Sequence, residues 1–321
     1  MGMADTVTKE YMRGNKVFAD AFNYLIYDGE QVVKPALLQE LDTTEIAIPF
    51  ALDENESPTE DVVQKYRDVL KSTVIMQDSR ASYILLGVEN QTEIHYAMPV
   101  RNIIYDALQY GKQVSEVAKR HKSKGDRKGH NKGEYLSGFY KEDRIRPVIT
   151  LVVHFGADEW DGPLSLYDMM DLKNERLLEY VQDYRIFLID PYKLANNDLE
   201  KFSTSLGDVL GYIKYSKDKK ALSKFLNDNQ VMIMDNDAAR VIRDVTNTPI
   251  YVPDGKGEID MCKAVRDMID ESKQEGMAAG ELNKAKKMAL KMYKKGDSIE
   301  EIAEMAEVSV DQVKEWINSA V

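Results

Sequence analysis

The chain has 321 residues, 43% hydrophobic and 31% charged, with a net charge of −12 and one cysteine, Cys262. That length is enough for a sizeable core, and a single cysteine excludes both a disulfide framework and a cysteine-rich zinc site. No run approaches the roughly 20 apolar residues of a membrane span, and the N-terminus does not read as a signal peptide, so a cytoplasmic protein with no membrane partner is expected.

Residues 9–27 carry Val17, Phe18, Ala21, Phe22, Leu25 and Ile26 at helical spacing, which predicts one amphipathic helix closed by Asp28 and Gly29. Residues 28–62 hold ten acidic side chains against one lysine. Within them 44–50 reads as a strand and 51–61 as a loop. A strand over 65–75 would place Asp68 near its start. Residues 83–88 are a short continuous apolar run, as expected of a central buried strand, and Glu89 follows at its exit.

Pro99 opens a predicted helix over 100–118. Residues 119–134 carry seven Lys or Arg against two acids, with three glycines and almost no apolar side chain, and read as a mobile loop. Residues 147–155 and 184–189 read as strands. Beyond 195 the pattern is helical, with a turn-rich break at 247–257. The tail predicts helices at 281–295, 299–306 and 310–319, the last two starting on capping boxes at Ser298 and Ser309. Ile299, Ile302, Ala303, Val308, Val313, Trp316 and Ile317 would form their core. The order gives an α/β core over 1–195, a helical extension over 196–260 and a helix-turn-helix-like tail over 261–321. Residues 298–321 hold six acids and one lysine, the wrong sign for a recognition helix, so that end reads as a protein-contact or stabilising module. The basic helix at 284–295 remains open to DNA.

The acids suggest chemistry. A glutamate at the exit of a buried strand is costly unless it is paired or binds a cation. Gln91 projects to the same side as Glu89. Asp68 lies 21 residues earlier, on the preceding candidate strand, where pairing would bring the two carboxylates within about 8 Å. Two hard oxygen ligands at that distance suit Mg²⁺. The simpler account is a strand-capping Glu89 paired with Arg67 or Arg101. The four histidines, His95, His121, His130 and His154, are dispersed, and His95 and His154 read as structural.

Asp68, then Glu89-Asn90-Gln91-Thr92, Met98-Pro99-Val100-Arg101 and Tyr105 closely resemble the recombination-promoting nucleases. These are the Rpn-like, YhgA-like transposases of the PD-(D/E)XK superfamily, and the resemblance covers about residues 12–215. It implies a restriction-endonuclease-like core whose mixed central sheet is flanked by helices. It implies a Mg²⁺- or Mn²⁺-dependent DNA endonuclease that promotes recombination or accompanies mobile elements. Asp68, Glu89 and the Asn90 carbonyl would hold the metal. Gln91 would stand where most of the superfamily has lysine, offering a hydrogen bond but no charge. Asp20 is the candidate for an acid from the first helix. Arg101, Tyr105 and Gln109 share a helix face that either supports the site or is simply half-buried. DNA contacts are expected at Arg101, Lys122, Lys124, Arg127 and Lys128, although a solvated surface loop is the simpler account of the last four. A catalytically inactive DNA-binding or protein-interaction module on the same fold is the alternative, and homo-oligomerisation stays open.

Overall fold

The structure, a computed structural model, describes residues 2–41, 44–47, 63–66, 68–77, 80–125, 131–171, 175–229 and 231–319. Two helices come first, α1 (Met3–Arg13) and α2 (Asn15–Tyr27), where one was expected. The break falls at Gly14, and its cause is remote. Lys71 is 1% exposed, and its ammonium donates to the Arg13 carbonyl at 2.5 Å and to Asn15 Oδ1 at 2.6 Å. A carbonyl at the end of α1 is thereby satisfied by a side chain from the sheet. Lys71→Ala is expected to cost about 1–2 kcal/mol in urea unfolding, since a charged donor leaves acceptors on Arg13 and Asn15 that water reaches in part. A change under about 0.5 kcal/mol would contradict this account of the break.

Next come β1 (Gln39–Glu40), β2 (Thr44–Ala47), β3 (Val63–Tyr66), β4 (Val69–Gln77) and β5 (Arg80–Gln91). The strand expected over 65–75 is divided between β3 and β4, and the chain bends at Asp68. Residues 48–50, from the strand expected over 44–50, lie outside the described residues. Then follow α3 (Met98–Lys124), α4 (Lys132–Ser137), β6 (Val148–His154) and β7 (Phe187–Ile189).

The main sheet runs β1-β4-β5-β6-β7; β2 and β3 form a separate antiparallel pair. β1, β4 and β5 are antiparallel neighbours, whereas β5, β6 and β7 are parallel, so the sheet is mixed. α3 is the crossover between β5 and β6, as parallel strands require. The apolar run Ile84-Leu85-Leu86 and Val88 is buried throughout, because β5 is covered on both faces. Lys71 pairs with Leu86 in register and reaches α1 and α2, which puts Leu86, Val88 and Asn90 on that face. Leu85, Gly87, Glu89 and Gln91 face α3.

α3 runs to Lys124, six residues past its expected end. Positive charge in a last helical turn is favourable to the helix dipole, and Gly125 closes the helix in the left-handed conformation at φ +63°. The basic segment expected as a loop is therefore helix over 119–124 and again over 132–137. Beyond β7 lie α5 (Asn196–Leu199), α6 (Leu206–Tyr215), α7 (Lys219–Asp228), β8 (Ile233–Asp235), α8 (Asn236–Thr246) and β9 (Glu258–Asp260). β8 and β9 pair antiparallel, where only helix and turn were expected.

The chain divides into two compact units, 1–248 with 252–260, and 249–251 with 261–321. The second contains α9 (Met261–Lys295), α10 (Ile299–Met305) and α11 (Val310–Asn318). Ser298 and Glu301 form the expected reciprocal cap, and Ser309 accepts from the Gln312 N–H. Ile302, Ala303, Val313, Trp316 and Ile317 are buried together with Ala289, and Ile299 and Val308 pack against them. No helix among the described residues is long and apolar enough to cross a membrane.

Candidate active site

Glu89 is completely buried on the α3 face of β5. Its Oε2 lies 3.0 Å from Arg101 Nη2, and the Arg101 side chain is 29% exposed. Arg101 Nε donates to the Tyr105 hydroxyl at 3.2 Å, one helical turn along, with the guanidinium 5.6 Å from the ring centre. Burial works against the guanidinium charge, but Glu89, Tyr105 and Asp68 together outweigh it and hold Arg101 above its ordinary pKa. Burial, then the Glu89 carboxylate, push the Tyr105 phenol upward. Of the two arginines that could have paired with Glu89, Arg101 does so; Arg67 lies outside the described residues.

Asp68 directly precedes β4. Val69 is opposite Val88, so the same register sets Asp68 beside Glu89. Its Oδ2 accepts the Asn90 N–H at 2.9 Å, and its Oδ1 is 3.6 Å from Lys9 Nζ of α1. Both carboxylates act on Arg101 and on Tyr105. Gln91 Nε2 donates to the Asn90 carbonyl at 2.9 Å. The Gln91 carbonyl accepts the Phe155 N–H at 2.8 Å and faces His154 Nδ1 at 3.2 Å. His154 Nε2 faces the Asp158 carbonyl at 2.8 Å, so the ring ties the end of β5 to the turn after β6. Gly156 is needed there, since an added Cβ would lie 2.4 Å from His154 Cε1. His154 is thus structural, as expected.

The YhgA-like description of a family model, "Putative transposase, YhgA-like", matches residues 37–239, well over half of the chain. The chain belongs to this YhgA-like transposase family. No curated protein and no solved structure matches it. The YhgA-like match includes Asp68, Glu89, Asn90, Gln91 and Arg101 and leaves α1 and α2 outside. Lys9 therefore reaches Asp68 from beyond the matched residues.

The remaining expected residues of this YhgA-like chain are dispersed. Asp20, 1% exposed, accepts from the Ser203 N–H and hydroxyl and from the Thr204 N–H and hydroxyl, at 2.7–3.1 Å. Both its oxygens anchor the turn before α6, and the structure does not bring them to Glu89. Lys122 and Lys124 are exposed on the last turn of α3. Arg127 and Lys128 lie outside the described residues.

Three contributors were not legible in the sequence. Lys9 is 59 residues from its partner Asp68. His95 lies near Arg101, and burial, then Arg101, lower its pKa and favour the neutral ring. Asp106, one position past Tyr105, accepts from the Thr150 hydroxyl at 2.6 Å and from the Tyr184 hydroxyl, which fixes α3 to β6. The helical spacing of Asn102, Asp106 and Gln109 on an otherwise apolar face was the available signal for the last.

Proposed function

We propose that this YhgA-like chain is a Mg²⁺- or Mn²⁺-dependent DNA endonuclease on a PD-(D/E)XK-type core, acting in recombination or with mobile elements. The observation that carries this reading is the juxtaposition at the mouth of β4 and β5. There Asp68 and fully buried Glu89 adjoin one another, opposite Arg101 and Lys9. Among the described residues no three His, Cys, Asp or Glu side chains group to hold a metal. The donor set is two carboxylates and the Asn90 carbonyl. That set fits an ion that keeps several waters and shares its shell with phosphate. When bound, such an ion polarises the phosphoryl oxygen and activates water.

The chain's own side chains do the rest. Arg101 gives the buried Glu89 carboxylate a positive partner at 3.0 Å. Lys9 brings to Asp68 the positive charge that Gln91 lacks, and that charge opposes the negative charge developing on phosphate. Gln91 orients a water or a phosphate oxygen through its amide.

Supercoiled-plasmid nicking with Mg²⁺ or Mn²⁺ tests the reading. The wild type is expected to nick, and Asp68→Ala to lose activity by at least about 10²-fold. Lys9→Ala and Gln91→Ala are each expected to lose about 10²–10³-fold, the usual cost of a donor aimed at developing charge. Lys9→Arg retains most of the rate. A wild type with no metal-dependent nicking overturns the reading.

One observation favours a second reading, an inactive module for DNA or protein binding. Gln91 Nε2 already occupies the Asn90 carbonyl, and each carboxylate already faces a cation, so the cluster is also consistent with a purely structural ion-pair network. Nicking separates the two.

A further inference from the structure

We infer that the groove between α3 and the 139–147 segment is a track for the phosphate backbone of duplex DNA leading to Glu89; this rests on the endonuclease reading. The groove is a cavity of about 480 Å³ floored by Leu70 and Leu85 and walled by Lys112, Arg120, Arg144 and Arg146, with Glu116 the one carboxylate among the described lining residues. Four cations against one acid stand out on a chain whose net charge is −12. Concave, locally positive surfaces of this kind concentrate polyanions.

The segment that carries Arg144 and Arg146 is held in place. Gln113 accepts from the Arg146 N–H at 2.7 Å and donates to its carbonyl at 3.1 Å. Arg144 Nη1 donates to the Lys141 and Asp143 carbonyls, both at 2.7 Å. His121 of α3 contacts Asp143 at 2.8 Å and stacks on Tyr140. The segment is thus fastened to the helix, and its two arginines stand opposite Lys112 and Arg120.

The groove lies on the same face of the sheet as the acidic site. Gln109 lines it and shares a helical stripe with Arg101 and Tyr105. Along the floor, Leu85 and Glu89 lie on one face of β5, about 13 Å apart at strand spacing. That is roughly four base steps of duplex. No aromatic side chain is among the described lining residues. A single-strand site would normally supply rings for stacking, so the chemistry here is that of backbone contact without base readout.

The test is fluorescence anisotropy of the full chain with a random-sequence duplex in EDTA, across a salt series. Lys112→Glu with Arg120→Glu is expected to weaken binding at least 10-fold and to reduce the salt slope by about two, roughly one per cation lost. Circular dichroism reports folding. A second pair, Arg144→Gln with Arg146→Gln, gives the same loss without adding negative charge. Lys219→Glu with Lys220→Glu, exposed on α7, leaves the slope unchanged. An unchanged slope in both groove pairs, or tighter wild-type binding to single-stranded DNA or RNA than to duplex, overturns the inference. Because binding is read without metal, a chain that binds through the groove but never nicks leaves the groove a duplex-binding surface while the endonuclease reading falls.

Discussion

Glu89→Gln is expected to lower metal-dependent cleavage by roughly 10³-fold, equivalent to several kcal/mol of transition-state stabilisation. It should weaken Mn²⁺ binding in parallel, because the substitution preserves shape and removes the charge that would face the proposed ion. Arg101 then loses its carboxylate partner at 3.0 Å. With its side chain 29% exposed, water compensates in part, so a stability loss of about 1–3 kcal/mol is expected rather than the larger cost of a fully buried unpaired charge. Activity and urea unfolding measured on one preparation separate the two effects. A Glu89→Gln protein that is destabilised yet cleaves at the wild-type rate would make Glu89 a structural partner of Arg101 and nothing more.

Asp20→Ala is expected to produce the largest loss of stability in the first unit, about 2–4 kcal/mol, because several charge-assisted hydrogen bonds to one buried carboxylate are lost at once. Ser203 and Thr204 present two N–H groups and two hydroxyls to the one carboxylate, and alanine leaves them without an acceptor. Asp20→Asn keeps the shape and restores part of the loss. Mn²⁺ affinity per folded molecule should be the same in wild type and Asp20→Asn. A stable Asp20→Asn protein with lost metal binding would return Asp20 to the metal site and remove its assignment as a turn anchor.

Those two acids illustrate how far the sequence reaches. Glu89 was legible because its signal is local: an apolar run buried on both faces, an acid at its exit and Gln91 two positions on. The pairing of β4 with β5 follows from the same pattern and brings Asp68 alongside. Asp20 was not legible, since its partners are 183 and 184 residues away and helical spacing alone cannot separate a metal ligand from a turn anchor. Gly14 reads as a tolerable helix residue until Lys71 arrives from β4 to take the Arg13 carbonyl. Lys9 meets Asp68 only through the same long-range packing of α1.

Helix ends show the same division. The caps at Ser298 and Ser309 are made within three residues, and the small core of α10 and α11 agrees with its periodicity. α9 begins at Met261, well before the expected 281. Gly276 and Gly280 weaken its propensity, yet each sits in open space within the helix. The three-residue strands β8 and β9 are too short to show alternation, and their pairing spans a turn-rich segment.

The claim on which the account turns is that Asp68 and Glu89 together hold a divalent cation. Titration of the metal-free full chain with Mn²⁺, followed by the electron paramagnetic resonance of the free ion, tests it without requiring DNA or turnover. One binding site per chain is expected in the wild type, weakened at least 10-fold in Asp68→Ala and in Glu89→Gln and unchanged in Asp20→Asn. A wild type that leaves all the Mn²⁺ free, or a site that survives both substitutions, would contradict it.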